Sequence, residues 1–142
     1  MFVGRGLSAS PRGPDPPSPK GFGAARATPA TTWDGVYTEA QAARGAEVYA
    51  RVCAQCHGPA LTGAEGPPLT GADFTSNWNG LSLGELFERV RTSMPTDDPS
   101  RVSAAEKIDV LAHILASGKF PAGSSELSRD ALPQIMFRAS RP

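Results

Sequence analysis

The sequence predicts an all-α fold of three main helices joined by long loops. Three segments each combine a helix-start signal with apolar residues at helical spacing, and no segment shows the alternation typical of a strand. The start signals are capping boxes, in which Ser or Thr is followed three residues later by Glu or Gln. They begin at Thr38, Ser82 and Ser103.

The first predicted helix begins at Thr38, with Gln41 as its capping-box partner. Apolar and small residues recur along it at i, i+3, i+4 and i+7, so they share one face. The first of the chain's two cysteines lies on this face, where a buried cofactor would need it. The face comprises Ala42, Gly45, Ala46, Tyr49, Val52 and Cys53.

The other two predicted helices carry clear end signals. The second begins at Ser82 and ends before Pro95, which favours an extended conformation for Met94. Its polar face is mixed in sign, which favours packing on a core over binding to a membrane surface. The third begins at Ser103 and ends at Gly118 as a usual C′ residue. It is apolar around most of its circumference, so we expect it to pack on more than one side.

The remaining chain divides into three parts. Residues 1–32 are rich in Pro and Gly and poor in large apolar residues, which predicts a disordered segment. Residues 33–118 form the predicted domain, and its loop from Gly58 to Asn79 is long enough to need a large flat cofactor to organise it. Residues 119–142 are predicted to be an irregular tail packed on or near the domain. Its candidate anchors are Leu127, Leu132, Ile135, Met136 and Phe137.

Composition argues against two classes of function. From Trp33 onward the chain has ten basic and thirteen acidic residues, so it lacks the basic face that nucleic-acid binding requires. No apolar run approaches the ~18 residues of a membrane span. Residues 1–32 also lack the apolar stretch of ~7–15 residues that marks a secretory signal.

Residues 53–57, Cys-Ala-Gln-Cys-His, have the spacing of a covalent haem attachment site. Two thiols three positions apart can each form a thioether with one vinyl group of the same porphyrin, which places His57 under the iron as a ligand. A thioredoxin-like site would require strand–helix units, which the sequence does not predict. A zinc site would need four ligands, for which His113 and a carboxylate would have to be recruited, and the adjacent Cys56–His57 pair suits tetrahedral coordination poorly.

Met94 is the candidate for the sixth iron ligand. Met1 is the initiator and Met136 lies in the tail, so Met94 is the only methionine of the predicted helical domain. It follows an amphipathic helix and precedes Pro95. The alternative is that Met94 fills a gap in the core, as methionines commonly do. As a ligand, its thioether would favour ferrous iron and raise the reduction potential.

With these motifs the chain resembles the class I c-type cytochromes, in particular small bacterial ones found beside or fused to quinoprotein (PQQ-dependent) dehydrogenases. The resemblance runs from about Trp33 to Phe137. It implies the cytochrome c fold, with three main helices around one covalently bound haem c. The stretches that carry it are residues 33–38, Arg44-Gly45 with Tyr49, 53–57, 66–71, 77–80, 92–95 and 120–123.

The resemblance implies roles for further residues. Gly45 is expected where the first and last helices cross, because a residue without Cβ allows close approach, and Tyr49 is expected to pack there. The Pro67 carbonyl is expected to accept the Nδ1 proton of His57. Trp78 is expected to line the haem pocket or bind a propionate, with a plain core position as the alternative.

The chain departs from the family pattern at two places. His113 stands where such cytochromes commonly have Tyr at the helix crossing, and we expect a packing imidazole, with a ligand-switch or pH-linked role as the alternative. Haem attachment of this type takes place outside the cytoplasm, so a periplasmic or other extracytoplasmic protein is expected. The lack of a visible export signal then predicts a misassigned start site or a truncated sequence.

The predicted function is single-electron transfer by a mono-haem carrier whose iron lies between His57 and Met94, rather than enzymatic catalysis. The expected partners are a PQQ-dependent dehydrogenase as donor and an oxidase or another cytochrome as acceptor. The weakly acidic domain favours docking on a basic patch. The alternatives are a haem-based catalytic or sensor protein with a labile sixth ligand, and a haem-free binding module.

Overall fold

Helices make up most of the regular structure in residues 30–142, the part of the chain that the computed structural model describes. The all-α prediction is confirmed. The helices are α1 (Glu39–Val48), a π-helical turn (Tyr49–Cys53), α2 (Ala54–His57), α3 (Ala72–Trp78), α4 (Leu83–Ser93), a 3₁₀ turn (Pro99–Arg101), α5 (Ala104–Ser117) and a second 3₁₀ turn (Leu132–Gln134). Two short strands, β1 (Ala30–Thr31) and β2 (Ile135–Met136), pair in parallel.

The central packing of the fold is the crossing of α1 over α5. At Gly45 a Cβ atom would lie only 1.8 Å from the carbonyl oxygen of Asp109, so the two backbones approach as closely as glycine permits. Just after α1, at the start of the π-helical turn, the ring centre of Tyr49 lies 5.2 Å from that of His113 on α5. The expected positions of Gly45 and Tyr49 at the crossing, and of His113 as a packing imidazole, are confirmed.

The predicted capping box of α1 forms only in half. The Thr38 hydroxyl accepts a hydrogen bond from the Gln41 backbone N–H, as expected. The Gln41 side chain turns inward instead of reaching back. Its Nε2 donates to the carbonyl of Leu127 at 3.1 Å, and its Oε1 accepts from the Leu127 N–H at 2.8 Å. Gln41 therefore pins the C-terminal tail to the core, which explains why a polar side chain is only 2% exposed.

The predicted boundaries of the other two main helices hold with one correction. Complete capping boxes at Ser82 and Ser103 begin α4 and α5, and Met94 after α4 is extended (φ −125°, ψ 136°). Gly118, predicted as the C′ residue of α5, has φ −85°. The left-handed residue is Lys119, with φ +73°. The N–H of Gly118 still bonds to carbonyls of α5, so the chain reverses one residue later than predicted.

The loop predicted from Gly58 to Asn79 contains a helix that the sequence analysis missed. The seven residues of α3 are too few to show a clear apolar period. Phe74 is the buried residue of α3, and its ring packs edge-on against Phe137 in the tail, with ring centres 5.8 Å apart. The second half of this loop is therefore organised by the tail.

Residues 30–32 lie inside the folded structure, which corrects the prediction of disorder up to residue 32. Ala30 pairs with Ile135 and Thr31 with Met136, so the prediction of no strands is also wrong for this short pair. Thr32 is fully buried. The rest of the predicted disordered segment, residues 1–29, lies outside the described residues. Four of the five candidate tail anchors are buried: Leu127, Leu132, Ile135 and Phe137, whereas Met136 is half-buried.

None of the helices within residues 30–142 is both long enough and apolar enough to cross a membrane.

Candidate haem site

The two cysteines lie at a change of helix type between α1 and α2. In the π-helical turn, the N–H of Ala54 donates to the carbonyl of Tyr49, five residues earlier. Cys53 ends this turn and is partly buried, whereas Cys56 on α2 is exposed, and neither forms a disulfide. Burial raises the pKa of the Cys53 thiol. Both thiols are thus available, and one of them faces the protein interior.

The imidazole of His57 is buried and held by one nitrogen. Its exposed fraction is 7%, and Nδ1 lies 2.7 Å from the carbonyl oxygen of Pro67, a hydrogen-bond distance. A Cβ on Gly66 would lie 3.1 Å from His57 Cε1, so glycine lets this segment lie against the ring. Within residues 30–142, no hydrogen bond uses Nε2. A buried nitrogen without a partner is the atom that would bind a metal ion.

The loop after His57 fixes the motif through its backbone. Gly58 turns the chain with φ +85°. The N–H of Gly63 then donates to the His57 carbonyl at 2.8 Å, and the N–H of Gly66 donates to the Cys56 carbonyl at 2.6 Å. These bonds satisfy the last carbonyls of α2, which lack partners within the helix. They also place the Pro67 carbonyl beside the imidazole, so the ring cannot rotate without losing its hydrogen bond.

The Tyr49 side chain supports this turn through a hydrogen bond, and ionisation of its hydroxyl is expected to lower the stability of the fold. The buried hydroxyl donates to the Gly58 carbonyl at 2.6 Å, and burial, followed by the nearby Cys53, raises the pKa of Tyr49 to about 12. Because the folded state holds this proton more tightly, the free energy of unfolding is expected to fall as the pH rises from 10 to 12. Denaturant titrations of wild type and Tyr49→Phe measure it.

Tyr49→Phe is expected to be less stable at neutral pH, by about 0.5–1.5 kcal/mol, because the Gly58 carbonyl loses the Tyr49 hydroxyl and keeps only the Leu61 N–H as a donor. Its unfolding free energy should fall less than that of wild type over the same alkaline range. Equal slopes for the two proteins would contradict the assignment to Tyr49.

Met94 and Trp78 lie on different elements from the two cysteines, at the ends of α4 and α3. Met94 follows α4 and is half-buried, and its N–H bonds to the Val90 carbonyl. Trp78 ends α3 and is half-buried, with the guanidinium of Arg89 5.8 Å from its ring centre. Among the described residues, no hydrogen bond or ring contact joins Met94 or Trp78 to His57. The structure brings Cys53, Cys56, His57 and Pro67 together.

These donors fit a covalently attached haem. The two free thiols have the required spacing, and His57 is buried with no hydrogen bond to Nε2 within residues 30–142. Thioether sulfur and imidazole nitrogen are ligands used for haem iron. The zinc alternative finds no support, because no three His, Cys, Asp or Glu side chains within residues 30–142 are arranged to hold a metal ion. The paired strands β1 and β2 are far too short for a thioredoxin-like unit.

Residues 40–114, more than half of the chain, match the family described as cytochrome c oxidase, cbb3-type, subunit III. The chain belongs to this family and is a class I c-type cytochrome. Family membership implies covalently bound haem c with iron and a role in haem-based electron transfer, and c-type cytochromes are typically extracytoplasmic.

The cytochrome also resembles a chain in the crystal structure of the sulfane dehydrogenase SoxCD from Paracoccus pantotrophus, with a TM-score of 0.50 and 19% identity. The similarity covers 87% of this cytochrome but 66% of that chain, just under two thirds of its length. At this identity it supports the fold alone. No curated protein sequence is significantly similar to this cytochrome.

The positions of two residues in the region of the site were not predicted from the sequence. Gly66 lies against the His57 ring, and its place in the Gly-Pro-Pro-Leu stretch was the available signal. Lys107 is buried on α5 with 4% exposure, and nothing in the sequence distinguished it from a surface lysine.

Proposed function

We propose that this cytochrome is a mono-haem electron carrier. The observation that carries the proposal is His57, a buried imidazole whose Nδ1 bonds to the Pro67 carbonyl and whose Nε2 has no partner among the described residues. An imidazole fixed in this way, beside the free thiols of Cys53 and Cys56, is preorganised to hold iron from one side.

Each residue would have a separate task. Cys53 and Cys56 would form the two thioethers, and His57 would be the proximal ligand. The Pro67 carbonyl keeps the Nδ1 proton in place, which makes Nε2 the ligating nitrogen and increases its basicity. Met94 would supply a second iron ligand from the protein. Bound haem would supply reversible one-electron exchange at its iron.

Iron held by two protein side chains would favour electron transfer over catalysis. With His57 and Met94 both holding the iron, no coordination site would be left open for a substrate or gas. Trp78 would line the pocket from α3, near the guanidinium of Arg89, which could face an anionic propionate. A protein with a labile sixth ligand remains the competing function, and carbon monoxide binding by the wild type would indicate it.

The proposed partners are redox proteins in the periplasm or another extracytoplasmic space. A PQQ-dependent dehydrogenase is proposed as the donor, and an oxidase or another cytochrome as the acceptor. The family description, which names an oxidase subunit, is consistent with an oxidase as acceptor. The acidic excess from Trp33 onward would favour partners with basic docking patches.

Removing either cysteine should weaken the covalent attachment, and removing both should abolish it. After maturation in a periplasm, wild type is expected to retain haem on a denaturing gel and after acid–acetone extraction. Cys53→Ala with Cys56→Ala is expected to release all of it, because no thioether remains. The matched control is Gln55→Ala, which changes an exposed position inside the same motif. A wild-type protein that stains for no haem would overturn the proposal.

A further inference from the structure

Lys107 is a buried lysine that the proposed electron transfer does not use. It lies near the start of α5 and is 4% exposed. Within residues 30–142 its ammonium makes no salt bridge to a carboxylate. A buried ammonium is costly unless its protons are hydrogen-bonded, so its partners indicate what it holds in place.

The ammonium of Lys107 bonds to two backbone carbonyls on either side of Met94. Nζ donates to the Pro99 carbonyl at 2.7 Å and to the Arg91 carbonyl at 3.1 Å. Arg91 is in the last turn of α4, where carbonyls lack partners within the helix and the helix dipole favours a cation. Pro99 begins the 3₁₀ turn. One buried charge therefore joins both ends of residues 92–98, which we name the Met94 loop.

Within the part of the chain that the structure describes, the other side-chain bonds of the Met94 loop are local and exposed. Asp98 accepts from the N–H and hydroxyl of Ser100, and Asp97 pairs with Arg101 at 3.3 Å on the surface. Exposed pairs of this kind contribute little to holding a loop in one conformation. Lys107 instead connects the loop to a different element through buried hydrogen bonds, because it lies on α5. The same helix crosses α1 at Gly45.

We propose that Lys107 is a positioning residue for Met94, because its ammonium fixes the separation of the two ends of the Met94 loop. The inference rests on the proposed function, in which Met94 is an axial ligand. On this view α5 holds both sides of the site. Lys107 supports the Met94 side, and the crossing at Gly45 supports α1, which continues through the π-helical turn to His57.

Replacing Lys107 by methionine tests the inference, because methionine is of similar length but cannot donate a hydrogen bond. We expect covalent haem and helix content to persist in Lys107→Met. The weak band near ~700 nm that reports methionine ligation in the ferric protein should be largely lost. Added imidazole should bind at least about tenfold more tightly, because a charge-assisted tie to the loop is gone.

Two further variants control this test. Lys107→Arg keeps the charge and the donors and should restore both readings toward wild type. Lys119→Met removes an exposed lysine and should leave them unchanged. If Lys107→Met keeps the wild-type band and imidazole affinity, Lys107 does not position Met94.

A measurement on the wild-type protein covers the case in which Lys107→Met does not fold. If the Lys107 hydrogen bonds favour binding of Met94 to the iron, binding of Met94 must equally favour those hydrogen bonds. Displacing Met94 with saturating imidazole should therefore weaken the bonds from Lys107 to the Arg91 and Pro99 carbonyls. Reductive methylation followed by peptide mass spectrometry should leave Lys107 protected without imidazole and modify it with imidazole, while exposed Lys119 reacts in both. Equal protection of Lys107 in both states would overturn the inference. Failure of the proposed function would differ, since wild type itself would then lack covalent haem or the ~700 nm band.

Discussion

Substituting alanine for Gly45 is expected to destabilise the protein by more than about 3 kcal/mol, a large part of the total stability of a domain of this size. The added Cβ would lie 1.8 Å from the Asp109 carbonyl oxygen and 2.4 Å from its carbon. Both are backbone atoms, so no side-chain rotation relieves the clash, and α1 and α5 must move apart. Denaturant unfolding followed by circular dichroism measures the loss.

Whether Gly45→Ala lowers or raises the stability distinguishes an effect of packing from an effect of helix propensity. Propensity alone predicts that alanine in place of a mid-helix glycine stabilises by up to about 1 kcal/mol. Gly118→Ala is the matched control, because the atoms nearest its added Cβ, at 3.1 Å, belong to the side chain of Phe120. A Gly45→Ala protein as stable as wild type would show that the helices do not cross as described.

Substituting alanine for Met94 is expected to abolish the ~700 nm band of the ferric protein while covalent haem is retained. Without the thioether, the reduction potential should fall and carbon monoxide should bind the reduced protein at neutral pH. Absorption spectra and a redox titration measure these changes.

Met136→Ala is the matched control for this substitution. Met136 is the other methionine within residues 30–142, and it is half-buried in β2 rather than beside the helical site. It should keep the band and the potential of wild type. If the band survives in Met94→Ala and disappears in Met136→Ala, Met136 rather than Met94 is the iron ligand.

The sequence was informative where local chemistry determines local structure. The Ser82 and Ser103 capping boxes depend on side chains three residues apart, and both form as predicted. The extended conformation of Met94 depends on the next residue, Pro95. The spacing of Cys53, Cys56 and His57 likewise needs no tertiary information to indicate a haem site, and the family match agrees with it.

The features that the sequence did not reveal depend on contacts between distant segments. Gln41 follows Thr38 at capping-box spacing, yet its amide bonds to Leu127, 86 residues later. Lys107 reads as a surface residue because its partners are backbone carbonyls, which any sequence provides. The strand pair at Ala30 exists only because the tail returns beside it.

The π-helical turn from Tyr49 to Cys53 makes the winding of the helix, as well as residue type, decisive just before the motif. Its hydrogen bond spans five residues where an α-helix spans four, so it holds one residue more than regular helix would. The wider turn absorbs this extra residue, so its five residues carry the chain about as far around the helix axis as four residues of regular α-helix do. If the same five residues wound as regular α-helix instead, both sulfur atoms and the ring after them would be rotated by ~100° about the helix axis, with every side chain of the motif still present.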